Sequence, residues 1–179
     1  MTLTPDLRDG ILNSIPSLRA FAISLSGNGD AADDLVQETL TRALSHIASF
    51  QPGTNLQAWL FTILRNQFHT AFRKRRREVE DGDGLYASRL SVLPEQGGHL
   101  DLEDLKVALT LLPVAQSEAL LLVAAQGFSY EEAAVICQTQ VGTIKSRINR
   151  ARTRLAELLS VEDAEDIGAD RVLKAALQQ

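Results

Sequence analysis

An all-α fold of two small helical domains joined by a flexible linker, the C-terminal one a helix-turn-helix, is what three observations on this sequence predict. Apolar residues recur at spacings of three and four along most of the 179 residues, the period of helices with one buried face. No segment alternates polar and apolar residues with the period of a strand. Between residues 79 and 99 the helical period fails, and Asp81-Gly82-Asp83-Gly84, Pro94 and Gly97-Gly98 collect there, a linker composition. The expected division is a domain over 1–78, a linker over 79–100, a second domain over 101–160 and an acidic, amphipathic tail over 161–179.

In order along the chain, Leu18, Phe21, Ala22 and Leu25 carry a first amphipathic helix, ended by Gly27-Asn28-Gly29. Asp30 is the expected cap of the next, with Asp33 and Asp34 in its first turn, where negative charge suits the helix dipole. Its predicted buried stripe is Val36, Leu40, Ala43, Leu44 and Ile47. Phe50-Gln51-Pro52-Gly53-Thr54-Asn55 reads as a loop. The third helix is expected from about Leu56 to Glu78, with Leu56, Leu60, Ile63, Leu64 and Ala71 inward. Arg65, His69, Arg73 and Arg76 then form a cationic stripe away from that face, with Phe61, Phe68 and Phe72 beside it. Cations follow a phosphate chain and aromatic faces stack on exposed bases, a pairing suited to a partly single-stranded nucleic acid. For any single Phe, a place in the core is the more ordinary reading. Beyond the linker, helical periodicity resumes at Leu102, and Pro113 opens the helix before the best-marked segment.

That segment is 127–158. Ser129 followed by Glu132 makes a capping box, so a short helix starts at Tyr130. Cys137-Gln138-Thr139-Gln140 breaks the pattern, and Val141, Ile144, Ile148, Ala151, Leu155 and Leu158 then define one buried stripe. Gly142, Ser146, Asn149, Arg150 and Thr153 fall on the opposite side. Five cations lie between 145 and 154 with no acid among them. A merely solvated helix face interleaves Glu with Lys or Arg, so the pattern points to nucleic acid and a helix in a major groove.

Composition bounds the alternatives. A net charge of -5 is unusual for a nucleic-acid binder, but 11 of the 18 cations are Arg65, Arg73 to Arg77, and Lys145, Arg147, Arg150, Arg152 and Arg154. Local field outweighs total charge. Apolar residues make up 45% of the chain, only 9 are aromatic, and no stretch approaches the ~20 apolar residues of a membrane span. A single Cys137 excludes a disulfide framework within the chain and fits a reducing cytoplasm, the expected location. His46, His69 and His99 are spaced for no metal site, and neither a phosphate-cradling Gly-rich loop nor a nucleophile–base arrangement is legible. No catalytic residue, metal, cofactor, small-molecule substrate or membrane is expected.

The motif Gly142-Thr143-Ile144-Lys145-Ser146-Arg147, continuing to Arg150-Ala151-Arg152, resembles the promoter-reading helix of bacterial extracytoplasmic-function sigma factors. Upstream, Asp33-Asp34-Leu35-Val36-Gln37-Glu38-Thr39 and Ala58-Trp59-Leu60-Phe61-Thr62-Ile63-Leu64-Arg65-Asn66 look like the family's other conserved segment. The two occur in the family's order and separation, and the resemblance spans about residues 10–160. The run Gln51 to Asn55 and the Arg-Lys-Arg-Arg-Arg-Glu ending of the third helix look most like the alphaproteobacterial general-stress branch.

The resemblance implies a subunit that binds core RNA polymerase and directs promoter-specific initiation, with promoter DNA and a small helical anti-sigma factor as further partners. It implies polymerase contacts from Asp33, Asp34, Gln37, Glu38, Thr41 and Arg42. For the melted minus-10 element it points to Asn55, Trp59, Arg65, His69, Arg73, Lys74 and Arg76, with Trp59 equally readable as core. For the minus-35 element, Lys145, Ser146, Asn149 and Arg150 face base edges, while Thr143, Arg147, Arg152, Ser129 and Tyr130 are candidates for phosphates. A sigma-like mimic that captures an anti-sigma factor without driving transcription is the competing reading; it would need neither basic face. One departure stands out. The family's turn commonly has Gly where this chain has Gln138 and Pro where it has Gln140. A left-handed Gln138 costs about 1 kcal/mol relative to Gly, so the turn is the expected place for a different geometry.

Overall fold

A computed structural model describes residues 4–80 and 102–159, the side chains of 75–80 and 102–103 excepted. The linker expected over 79–100 falls almost wholly, and the tail over 161–179 wholly, outside the described residues. Among these, the regular structure is helical throughout. Helix α1 spans Pro5–Ser26, α2 Gly29–Ser45 and α3 Leu56–Glu80; a 3-10 turn at Ile47–Ser49 leads out of α2. In the C-terminal half, α4 is Leu102–Thr110, α5 Val114–Leu120, α6 Tyr130–Ile136 and α7 Val141–Leu158. A π-helical segment, Leu121–Ala125, continues α5.

The first three helices form one bundle. Thr4 caps α1, its hydroxyl accepting from the Leu7 amide at 3.4 Å. Gly27 ends it with φ 65, a left-handed stop that needs no Cβ. Asn28, rather than Asp30, caps α2: its side-chain oxygen accepts from the Ala31 amide at 3.0 Å, and Asp30 lies in the first turn, favourable to the dipole. The predicted stripe of α2 holds for Val36 and Ala43, but Leu44 is 48% exposed. Residues Leu35 and Thr39 are buried in its place. On α3, Leu60 and Leu64 are buried as the period requires, whereas Ala71 is exposed and Phe61 and Phe68 are core. Helices α1 and α3 cross closely at Gly10, where a Cβ would meet Leu56 Cδ2 at 2.8 Å.

The two units do not stand apart. Phe61 of α3 touches Phe21 of α1, with ring centroids 5.1 Å apart, and Phe128, just before α6, at 5.0 Å edge-on. All three rings are buried, so one apolar interior runs through both halves of the chain. Each such aromatic pair contributes about 0.5–1.5 kcal/mol beyond the area it buries. The π-helical segment enables the contact: the Gln126 amide bonds Leu121 O and the Phe128 amide bonds Leu122 O. This widens the last turn, and Gly127 (φ 76) then redirects the chain.

The helix-turn-helix closes through a left-handed residue that is not glycine. Gln138 has φ 52, the only positive φ outside glycine among the described residues. The amide of Gln138 bonds Val135 O at 3.1 Å and that of Thr139 bonds Ala134 O at 2.9 Å. That pair is a Schellman motif, and it satisfies the last carbonyls of α6. The turn therefore forms at a conformational cost. Gln138→Gly is expected to raise stability by about 0.5–1 kcal/mol, once the added freedom of the unfolded glycine is subtracted. A higher midpoint in urea unfolding, with unchanged slope, is the result that checks it.

Candidate nucleic-acid interface

Helix α7 separates its residues by solvent exposure. Ile144, Ile148, Ala151 and Leu155 are buried at 2% exposure or less. Gly142, Lys145, Ser146, Asn149, Arg150, Thr153 and Arg154 are exposed. Burial of the aliphatic stripe against α5 and α6 fixes the helix rotation, and the polar side chains must then face outward. Lys145 Nζ sits 5.7 Å over the Tyr130 ring, tying the start of α7 to the start of α6. Arg154 is paired with Glu157 at 2.7 Å, which leaves the positive field centred on the helix's first three turns. Thr143, Arg147, Arg152 and Tyr130 are half-buried flanking residues; Ser129 is exposed. Arg147 Nη1 and Arg152 Nε are buried atoms without a hydrogen-bond partner.

The capping box at α6 is present in both directions. The Glu132 amide donates to Ser129 Oγ at 3.1 Å, and the Ser129 amide donates to Glu132 Oε2 at 2.9 Å. The other carboxylate oxygen, Oε1, accepts from Asn55 Nδ2 of the 50–55 loop at 2.6 Å. That bond joins residues 77 apart in sequence. The Ser129 amide and the Asn55 side chain together hold the Glu132 carboxyl below its ordinary value.

The face of α3 differs from expectation in one respect. Arg73 and Lys74 are exposed, and Arg76 lies among the side chains outside the described residues. Arg65 and His69, however, are covered by the C-terminal unit. Arg65 Nε lies 3.2 Å from Glu118 Oε2 and His69 Nε2 lies 2.5 Å from Oε1, with Glu118 of α5 wholly buried. The arginine makes an aligned hydrogen bond. The histidine contact is close but not aligned as one, and both of its atoms are otherwise without partners. Of the aromatic residues beside the stripe, Phe61 and Phe68 belong to the core, while Phe72 is 39% exposed. Trp59 is half-buried against Phe50, ring centroids 5.3 Å apart.

On α2, Asp33, Asp34, Gln37, Glu38, Thr41 and Arg42 are all exposed. Arg19 of α1 holds Asp33 in a two-pronged pair at 2.6 and 3.2 Å, and that hydrogen bond keeps the Asp33 carboxyl below its usual value. Glu118 was not legible as a functional group in the sequence. Its one signal is an acid directly before the apolar run Ala119 to Ala125, at a position where a helix so placed faces inward. Cys137 is buried beside this cluster, and burial, then the Glu118 charge, pushes its thiol up to about 11.

Comparison with known proteins decides the family. Residues 12–78 match the model of sigma-70 region 2, and residues 102–155 match that of sigma-70 region 4. Over 177 residues the chain is 63% identical to the ECF RNA polymerase sigma factor EcfG of Rhodopseudomonas palustris (strain TIE-1), covering 99% of this chain and 98% of that one. The chain belongs to the extracytoplasmic-function sigma factors of RNA polymerase. Its task is that of a sigma factor: to bind core RNA polymerase and direct promoter-specific transcription initiation. Among solved structures, the sigma factor RpoE of Bartonella quintana, crystallised with the anti-sigma factor NepR, superposes with a TM-score of 0.79. It is 53% identical, and the match covers 89% of this chain and all of that one. A chain of the PhyRSL–NepR complex from Sphingomonas sp. Fr1 reaches a TM-score of 0.64 at 17% identity, covering 91% of this chain and 93% of that one, a likeness of fold alone. No helix among the described residues is long and apolar enough to cross a membrane.

The Glu132 geometry has a pH consequence. A carboxyl whose folded-state pKa is depressed stabilises the fold above its unfolded value and loses that contribution as pH falls through the folded one. Thermal stability is therefore expected to drop below the ordinary Glu value of 4.5. Glu132→Gln retains an oxygen for the Ser129 amide but does not titrate. Its melting temperature measured from about pH 6 down to about pH 3 should fall less steeply than that of the wild type.

Proposed function

We propose that this sigma factor divides promoter recognition between its two basic faces and serves stress-response genes under the control of an anti-sigma factor. The minus-35 element is read by α7. Lys145, Ser146, Asn149 and Arg150 reach base edges, and Thr143, Arg147, Arg152, Ser129 and Tyr130 hold phosphates. The displaced minus-10 strand follows Asn55, Trp59, Arg65, His69, Arg73, Lys74 and Arg76, and the polymerase is gripped by Asp33, Asp34, Gln37, Glu38, Thr41 and Arg42. Such a transient interface need not be apolar, which suits the mixed charge of α2. The mechanism is binding, without catalysis, in the cytoplasm.

The observation that carries the reading is the partition of α7, where four buried aliphatic residues fix the outward direction of Lys145, Ser146, Asn149 and Arg150. Support for an anti-sigma partner comes from the 53% identical RpoE, which was solved with NepR. A small helical protein of that kind is the expected regulator. Run-off transcription with purified core polymerase on a general-stress promoter tests the whole. A specific transcript that disappears on adding the anti-sigma factor supports it; no transcript, together with tight anti-sigma binding, would favour a sigma-like mimic instead.

The division of roles on α7 is tested separately. Arg150→Ala should cost about 1–3 kcal/mol on the preferred promoter and relax discrimination at one or two upstream positions. Arg152→Ala should weaken all sequences alike and flatten the dependence of affinity on salt. Uniform losses from both variants across a set of mutated minus-35 elements would mean that the roles are wrongly divided.

A further inference from the structure

Two exposed cations of α7 are held in different ways. Arg154 is tied to the Glu157 carboxylate at 2.7 Å, which occupies one of its donors and offsets its charge. Lys145 has its Nζ 5.7 Å over the ring of Tyr130, a neutral group. The ring face draws the ammonium toward it but brings no anion, so Lys145 keeps its charge and its donors for a further partner. The ring itself is well anchored. Tyr130 is the first residue of α6, whose start is fixed by the reciprocal Ser129–Glu132 capping bonds. It is half-buried and packs against the core. A lysine stem has four carbons and many rotamers, so a stem ordered in advance loses less freedom when its ammonium meets a ligand.

We infer that Tyr130 is a positioning residue for minus-35 readout: its ring holds the Lys145 stem, before DNA arrives, in the orientation from which the ammonium meets a base edge. The inference rests on the proposal that Lys145 reads base edges. It adds to the phosphate contact given to Tyr130 above, because the ring and the hydroxyl are separate parts of one side chain and can serve at once. The two roles leave different marks. A hydroxyl on a phosphate favours every sequence alike, whereas a ring that orients Lys145 acts only where the ammonium discriminates between bases. Guanine, whose O6 and N7 both accept in the major groove, is the base that suits a lysine ammonium. A cation over a ring at an exposed site changes an equilibrium by about two- to fivefold, which sets the size of the effect.

The test uses the full-length chain assembled with core RNA polymerase and a set of duplex promoter fragments. One fragment carries the preferred minus-35 element, and each of the others a single base-pair substitution in it. Lys145→Ala is expected to lose discrimination at one or two positions, at a guanine. Tyr130→Leu should lose about two- to fivefold of discrimination at those same positions and add nothing in the Lys145→Ala background. Tyr130→Phe, which keeps the ring, should retain discrimination there, and any weakening it shows should be equal across all fragments. In the free full-length chain, the side-chain methylene protons of Lys145 should carry a ring-current shift in nuclear magnetic resonance that persists in Tyr130→Phe and is absent from Tyr130→Leu. Unchanged discrimination in Tyr130→Leu, a loss spread evenly over all fragments, or an effect that adds in full to that of Lys145→Ala overturns the inference, as does absence of the ring-current shift from the wild type. Should Tyr130→Leu not keep its helical circular dichroism, the ring-current shift and Tyr130→Phe decide, since a position-specific loss in a variant that keeps the ring also overturns it. Full discrimination by Lys145→Ala at every position, with the ring-current shift present in the wild type, would instead overturn the assignment of Lys145 to a base edge, a different failure.

Discussion

Phe61 is held between Phe21 and Phe128, and the arrangement of the rest follows from that sandwich. One side of the ring completes the three-helix bundle; the other receives the segment that leads into the helix-turn-helix. Its burial sets the register in which α6 crosses α3, and that register brings Glu132 to Asn55 and Glu118 to Arg65. A polar contact across such a boundary has little strength when exposed, as Asn55–Glu132 is; Arg65–Glu118 is sheltered from water and matters more. Apolar packing thus determines which charges meet.

The recognition helix depends on a similar order of causes. The aliphatic stripe of α7 fixes its rotation, the capping box fixes where α6 starts, and the Schellman turn fixes the angle between the two. Gln138 takes a left-handed conformation that glycine would adopt at lower cost. The turn is kept because the carbonyls of α6 require those two amides and because Ile136 and Ile144 are buried on either side of it. Local propensity yields to packing here, by about 1 kcal/mol.

Much of this was legible in the sequence, and the reasons for the remainder are physical. The helices, the capping box and the outward face of α7 come from local signals: spacing of apolar residues, a Ser–Glu pair three apart, and cations without acids between them. The cap of α2 was misplaced by two residues, because Asn28 and Asp30 are both competent caps and only the position of Gly27 decides between them. Leu44 and Ala71 were expected inside on periodicity, but a helix at the edge of a small bundle buries a narrower stripe than its apolar residues span. What no local pattern contains is the packing of one unit on the other. Phe61, Arg65 and Asn55 read as members of a nucleic-acid face, and their partners Phe128, Glu118 and Glu132 lie more than fifty residues away. An acid at the head of an apolar run was the single clue.

Cys137 sits at the end of α6, one residue before the left-handed turn, with its thiol buried and pushed up to about 11. At neutral pH almost none of it is thiolate, and the thiolate is the form that reacts. The chain's only sulfhydryl is therefore silent toward electrophiles while the helix-turn-helix is intact. Any measured rate of thiol modification counts the moments when this turn comes apart, so the molecule carries its own clock for local unfolding at the element that reads DNA.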